Sequence, residues 1–220
     1  MAAKTKVVSD VVVMKSSDTS PTSLVRLDLR TILVNIEGTS PLITHPWSKR
    51  AIYTIQAKQA GKAAKGRALR NPVEEYEESF YRLPDGSPAF PLLSFKNCAV
   101  TACTSLGKEI TKVAARQFFR VVAEKGCGDL TRIYYPEDCP PRMRTDVIRV
   151  GMGAADLRYR PEFAQWGAKL RIQFNARAVS QEQVVNLLNL GGFAVGIGEH
   201  RPECNGDKGC FEVVDKFSWE

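Results

Sequence analysis

Residues 168–178, AKLRIQFNARA, restrict the fold more than any other stretch of the chain. Ala168, Leu170, Ile172, Phe174, Ala176 and Ala178 alternate there with Lys169, Arg171, Gln173, Asn175 and Arg177. Only an extended strand, whose side chains point to opposite faces with period two, sorts such a run into an apolar row and a polar, cationic row. The apolar row needs a core, while the other row needs solvent or a polyanion, so the spacing predicts a sheet covered on one face. A helix is expected at once: Ser180 and Gln183 match a capping box, and Val184, Val185, Leu187 and Leu188 supply its apolar face. Gly191-Gly192 reads as its stop.

The rest of the chain fits an α+β fold around that pair. Thr31 to Glu37, in RTILVNIEGTSPL, is a β-rich run ended by Gly38 and Pro41. In FPLLSFKNCAVTACTSLG, Phe95, Cys98, Ala99, Ala102, Cys103 and Leu106 recur at helical spacing, with Ser94 as N-cap and Gly107 as stop. Further strands are expected over 117–122, 130–134, 193–197 and 210–214. Residues 48–70 read as an inserted helical arm, because their apolar stripe is thin and Gly61 and Gly66 weaken the helix. With two central strands counted as one bent or hairpin element, the order gives a ferredoxin-like (RRM-like) βαββαβ core with an inserted basic helical arm. Residues 1–24, polar around Val11 to Val13, are expected to form a flexible arm, or a strand that orders against a partner. That leaves 25–220 as a single domain.

Charge distribution points to a partner. The net charge is +7, but it is unevenly placed. Residues 48–70 carry seven cations, Lys49, Arg50, Lys58, Lys62, Lys65, Arg67 and Arg70, and no carboxylate. Residues 142–180 add a second basic zone containing Arg144, Arg149, Arg158, Arg160, Lys169, Arg171 and Arg177. A solvated lysine face is the plain explanation of such runs. Concentrated cations, however, gain most from a polyanion, since each neutralised phosphate releases counterions. Both stretches are therefore candidate phosphate contacts, with His200 and Arg201 in the late glycine-containing loop.

Other classes find little support. The six cysteines have no C-x2-C pair, and Cys98 and Cys103 fall in an apolar pattern, so they read as reduced structural residues rather than zinc ligands. No G-x-G-x-x-G or G-x-x-x-x-G-K-[ST] occurs, so no nucleotide cofactor or metal is expected. No apolar run approaches the ~20 residues of a membrane span, and a cytoplasmic protein is expected. His45, beside Pro46 and Trp47, is the one candidate general acid or base; a histidine packing at a turn is the plainer reading. Trp47, Tyr53, Tyr159 and Trp166 are candidate base-stacking residues, or partial core. The cationic face of strand 168–178 carries no aromatic, which favours backbone tracking over RRM-type stacking.

Three stretches resemble the RAMP superfamily of CRISPR RNA-binding proteins. Ser40 to Ile43 looks like the family's "sPL" turn after a strand. Pro91 to Lys96 is similar to its proline-led opening of the first helix, and Gly191 to Gly209 to its closing glycine-rich loop. Asn97 stands where the family prefers glycine, and the final loop is not a Gly-Arg-Gly run. The chain also looks similar to small phage and prophage proteins. The resemblance implies a non-catalytic binder of RNA or single-stranded DNA that forms a homo-oligomer or filament along the strand, with residues 48–70 in the place of an inserted thumb. Two alternatives stand beside it: a metal-independent endoribonuclease using His45, as some members of the family do, and a phage structural or inhibitory protein that docks an acidic protein partner.

Overall fold

The computed structural model describes residues 6–8, 11–14, 22–61, 70–106, 110–150 and 153–220. Three short strands, β1 (Lys6–Val8), β2 (Val11–Met14) and β3 (Thr22–Val25), pair with one another as an antiparallel sheet. The stretch expected to be an arm thus contains strands at these places.

The body starts with β4 (Leu29–Gly38) and β5 (Leu42–Ile43), followed by α1 (Lys49–Gln59) and α2 (Pro72–Glu78). A hairpin of β6 (Tyr81–Arg82) and β7 (Pro88–Pro91) leads into α3 (Leu92–Ala102), a 3-10 turn (Cys103–Leu106) and α4 (Lys112–Phe118). Then come β8 (Phe119–Val122), β9 (Leu130–Tyr134), β10 (Arg142–Val150), β11 (Ala154–Phe163) and β12 (Gly167–Asn175). The chain closes with α5 (Gln181–Ala194), a 3-10 turn (Pro202–Cys204) and β13 (Phe211–Val214).

β12 is central. It pairs antiparallel with β4 along its whole length, from Gly167 opposite Glu37 to Asn175 opposite Leu29. Its other edge is shared end to end by β8 (Arg171–Phe174) and β9 (Gly167–Ala168), and β13 pairs with β4 on the far side. β4, α3, β8/β9, β12, α5 and β13 therefore build an antiparallel sheet ordered fourth, first, third, second, with both long helices on one face. That arrangement is consistent with the ferredoxin-like sheet expected, and β8 with β9 supplies the split element.

The alternation in β12 holds as far as the strand does. Leu170 and Ile172 are 0% exposed, Ala168 and Phe174 are buried, and Lys169 and Arg171 are open to solvent. Burying each large side chain of that row stabilises the fold by about 1.5–3 kcal/mol. Ala176 to Ala178 leave the strand in a turn, so Arg177 lies beyond the face to which its spacing assigned it. The capping box at the start of α5 forms, with the Ser180 hydroxyl accepting from the Gln183 amide and the Gln183 side chain accepting from the Ser180 amide.

Several boundaries differ from expectation. Ser94 lies within α3, whose N-cap is Pro91. Thr111 caps α4 instead, so Gln117 and Phe118 are helical and the strand starts at Phe119. Gly191 and Gly192 do not stop α5, which runs through them to Ala194, and 193–197 is no strand. The glycines serve packing: a Cβ on Gly191 would meet the backbone of Cys98 and Ala99 in α3 at 3.0 Å, and one on Gly192 would run into the Phe211 carbonyl. Trp166, a stacking candidate by sequence, is 0% exposed; its indole donates to the Ser40 carbonyl at 2.8 Å and fills the space over Gly38.

Candidate nucleic-acid interface

The second basic zone folds largely into a hairpin. β10 and β11 pair from Arg142 opposite Glu162 to Val150 opposite Ala154, and β11 extends the sheet to β5. One face of this hairpin carries Arg144, Asp146, Arg158, Arg160 and Glu162, and its charges neutralise one another. Arg144 donates to Asp146 at 2.7 Å and Glu162 at 2.8 Å, which raises its pKa. Arg160, 4% exposed, meets Asp146 at 3.4 Å and Glu199 at 3.8 Å, and Arg158 pairs with Asp156 at 3.1 Å. His200 joins through Nε2, 3.8 Å from Asp146. Three candidates assigned to phosphate by sequence, Arg144, Arg160 and His200, thus stand in one internal network around Asp146, and Arg158 shares Asp156 with Arg70. Arg149, on the other face near the hairpin tip, is exposed.

The first basic stretch divides. α1 begins at the Ser48 N-cap and presents exposed Lys49 and Lys58. Arg50 is described by its backbone only, and Lys62, Lys65 and Arg67 lie outside the described residues. Arg70 is held by Glu75, to which it donates at 2.6 and 2.5 Å, by Asp156 and by the Leu157 carbonyl. Glu75, in the acidic run Glu74, Glu75, Glu77 and Glu78 that follows the basic stretch, thus pairs with that stretch through Arg70. With Thr44 N donating to the Pro161 carbonyl and the Ser79 hydroxyl to that of Tyr159, these contacts cap the edge of β11.

His45 lines a cavity of about 420 Å³ between α1, α2 and β11, with Trp47, Glu74, Glu78 and Tyr159 among its other walls. Burial, then the nearby Arg160 guanidinium, lowers its pKa, opposed by Glu199; its Nδ1 is buried with no hydrogen-bond partner among the described residues. Trp47 and Tyr53 are exposed and Tyr159 is half-buried.

Two of the stretches that carry the resemblance, Ser40 to Ile43 and the closing glycine-containing loop, meet in space. Gly209 N donates to the Pro41 carbonyl at 2.8 Å, Glu199 N to that of Ile43 at 3.0 Å, and Cys210 N to the Ser40 hydroxyl at 2.9 Å. Gly198, at φ +76°, leaves no room for a Cβ against the Ile43 carbonyl. Beside this loop and α3 lies a cavity of about 450 Å³, bordered by Asn97, Thr101, Lys112, Arg116 and Arg201. Arg201 is engaged by Glu203 and the Gly198 carbonyl. Cys98 faces the same cavity, where burial pushes its thiol up to about 12 and so favours the protonated form.

The sheet face opposite the helices is the open cationic surface. Arg171 stands between Leu33 of β4, 74% exposed, and Val122 of β8; Gln173 next to it stands between Thr31 and Arg120. Neither Arg171 nor Arg120 has a hydrogen-bond or ion-pair partner among the described residues. The expectation that this face lacks aromatics is overturned at its Gly167 end. Tyr134 arrives opposite Gly167 on β9, Phe217 packs over Gly167 from the C-terminal segment, and Trp219 stacks on Phe217. Lys169 Nζ lies 5.2 Å from the ring centres of both Tyr134 and Phe217 and 3.1 Å from Glu220. Arg120 and these aromatics were missed by sequence reasoning; alternation in 119–122 was the available signal for Arg120.

No family model matches the chain, and no curated protein matches it in sequence. Among solved structures it is similar to Cmr6 from Pyrococcus furiosus at 9% identity, over 86% of this chain and 100% of that one, with a TM-score of 0.41. A likeness of that degree carries no residue role from one chain to the other. No helix of the described residues is long and apolar enough to cross a membrane.

Proposed function

We propose that the chain is a non-catalytic, RAMP-like binder of single-stranded nucleic acid that holds its ligand on the open sheet face. The observation that carries this is the setting of Arg171, an unpaired cation between the exposed apolar side chains of Leu33 and Val122. A single strand offers both a phosphate and an unstacked apolar base, and a surface that interleaves cations with apolar groups suits both. Duplex, whose bases are stacked inside, would gain only from the cations. Lys169, Arg120 and Arg177 lie along or beside the same face, Lys49 and Lys58 of α1 supply further phosphate contacts, and Lys62, Lys65 and Arg67 of the same basic stretch are proposed to do so too. Several copies are expected along one strand; the exposed Val147 and Leu157, opposite each other on the outer face of the hairpin, support that.

Binding of labelled homopolymers of RNA and DNA, single- and double-stranded, tests the reading. Single strands should bind more tightly than duplex, and Arg120→Glu with Arg171→Glu should abolish binding while the melting temperature holds. Unchanged binding by that double variant would remove the sheet face from the reading.

A second reading, metal-independent RNA cleavage with His45 as general base, has one observation in its favour. Burial and Arg160 favour the neutral imidazole, the form that accepts a proton. Labelled RNA incubated in EDTA decides it: cleavage that disappears in His45→Ala supports it, and intact RNA removes it.

A further inference from the structure

The aromatic group at the Gly167 end of the sheet face has a build that core packing leaves unexplained. β12 omits a side chain at Gly167, where a Cβ would lie 2.6 Å from Phe217 Cε1 and 2.9 Å from the Ile36 carbonyl, and the Phe217 ring takes that space. Phe217 is 4% exposed and touches Tyr134 at 5.7 Å between ring centres. Trp219 lies flat on it, with centres 5.0 Å apart and planes at 21°. The indole is partly exposed and meets no other ring among the described residues. The segment leading to it is pinned to β4: Asn35 donates to the Asp215 carbonyl at 2.7 Å, and Ser218 donates to Glu37 from its amide at 2.7 Å and from its hydroxyl. A flat ring held by stacking and still partly exposed loses little conformational freedom when a second flat ring covers it.

Beside Phe217, the ring on which the indole stacks, lies an exchangeable cation. Lys169 is shared between two rings and Glu220, and the pair with Glu220 is almost half exposed on both sides, which makes it weak. Arg171 emerges from the same strand face about 6.6 Å further on. Two carboxylates lie next to the segment that carries the indole, Glu37 on Ser218 and Glu220 on Lys169, a setting that suits an uncharged base better than a phosphate.

We propose that Trp219 is a stacking platform for one nucleobase of the bound strand, and that the adjoining phosphate takes Lys169 from Glu220. This rests on the sheet-face reading above and fixes where one end of the strand's track lies.

Intrinsic fluorescence tests it, because the tryptophans are Trp47, Trp166 and Trp219. The full chain is titrated with oligouridine and oligothymidine while indole quenching is followed. Anisotropy of a labelled oligonucleotide measures affinity in parallel. Quenching should survive in Trp47→Phe and vanish in Trp219→Phe. Trp219→Ala should weaken binding roughly 5- to 150-fold, the range found when a stacking aromatic is removed. Trp219→Phe should retain most of the affinity, which separates lost stacking from lost folding. Glu220→Gln should bind at least as tightly as the parent; weaker binding would overturn the exchange at Lys169. Quenching that persists in Trp219→Phe, or that maps to Trp47, would overturn the platform while leaving binding intact. Absence of any anisotropy change in the parent chain would remove the sheet-face reading itself.

Discussion

Arg160 and Asp146 meet diagonally across the β10–β11 hairpin, 4% and 8% exposed, with Nη1 3.4 Å from Oδ2. Two charges withdrawn that far from water hold only as a pair, because removing one leaves the other buried and uncompensated. Asp146→Ala should therefore destabilise the fold by about 3–5 kcal/mol. Glu199, 3.8 Å from Arg160, sets the loss toward the lower figure. Replacing both residues together, Asp146→Leu with Arg160→Met, should cost much less than the single change. Urea unfolding of the parent and the two variants measures this, and equal losses from single and double changes would contradict it.

That pair also explains which part of the site was hidden in the sequence. The apolar row Ala168 to Phe174 was legible because period two is a local signal, and so was the Ser180–Gln183 box. The hairpin face was not. Arg144, Arg158 and Arg160 look like solvated cations until the register brings Asp146 and Glu162 beside them. The stacking group was hidden for the same reason, since Tyr134, Phe217 and Trp219 reach Gly167 from well outside the strand. Gly191-Gly192 misled in the opposite sense: glycine pairs commonly end helices, and here they are demanded by the close approach of α3 and β13.

Gly192→Ala follows from that approach. The added methyl group would run into the Phe211 carbonyl, which belongs to β13 backbone and has no rotamer to change. Overpacking of this kind costs about 1–3 kcal/mol, more where backbone must shift. A lowered melting temperature with unaltered helix content in circular dichroism is the expected result, whereas an exposed control such as Phe193→Ala should be near neutral.

His45 gives the fold a pH dependence. Its folded-state pKa is held below the ordinary 6.5 by burial first and Arg160 second. As pH falls through 6.5 the unfolded chain takes up the proton before the folded one does, so this group removes stability across the window between the two values. Below the folded value the loss is complete and grows no further. Between about pH 7.5 and about pH 5.5 the melting temperature should drop, and the drop should be shallower in His45→Gln. An identical slope in both would place the cause elsewhere.

Salt dependence separates the open cations from the paired ones. Each phosphate neutralised on a single strand contributes about 0.7 to the slope of log K against log salt, through released counterions. Arg171 and Arg120 have no ion-pair partner among the described residues, so Arg171→Ala and Arg120→Ala should each lower the slope by about that amount. Both are exposed, and stability should stay within about 0.5 kcal/mol of the parent. Arg144 differs: to reach a phosphate it must leave both Asp146 and Glu162. Arg144→Ala should accordingly lower the melting temperature and leave the slope unchanged. A slope that falls in Arg144→Ala as it does in Arg171→Ala would move the strand from the sheet face to the hairpin.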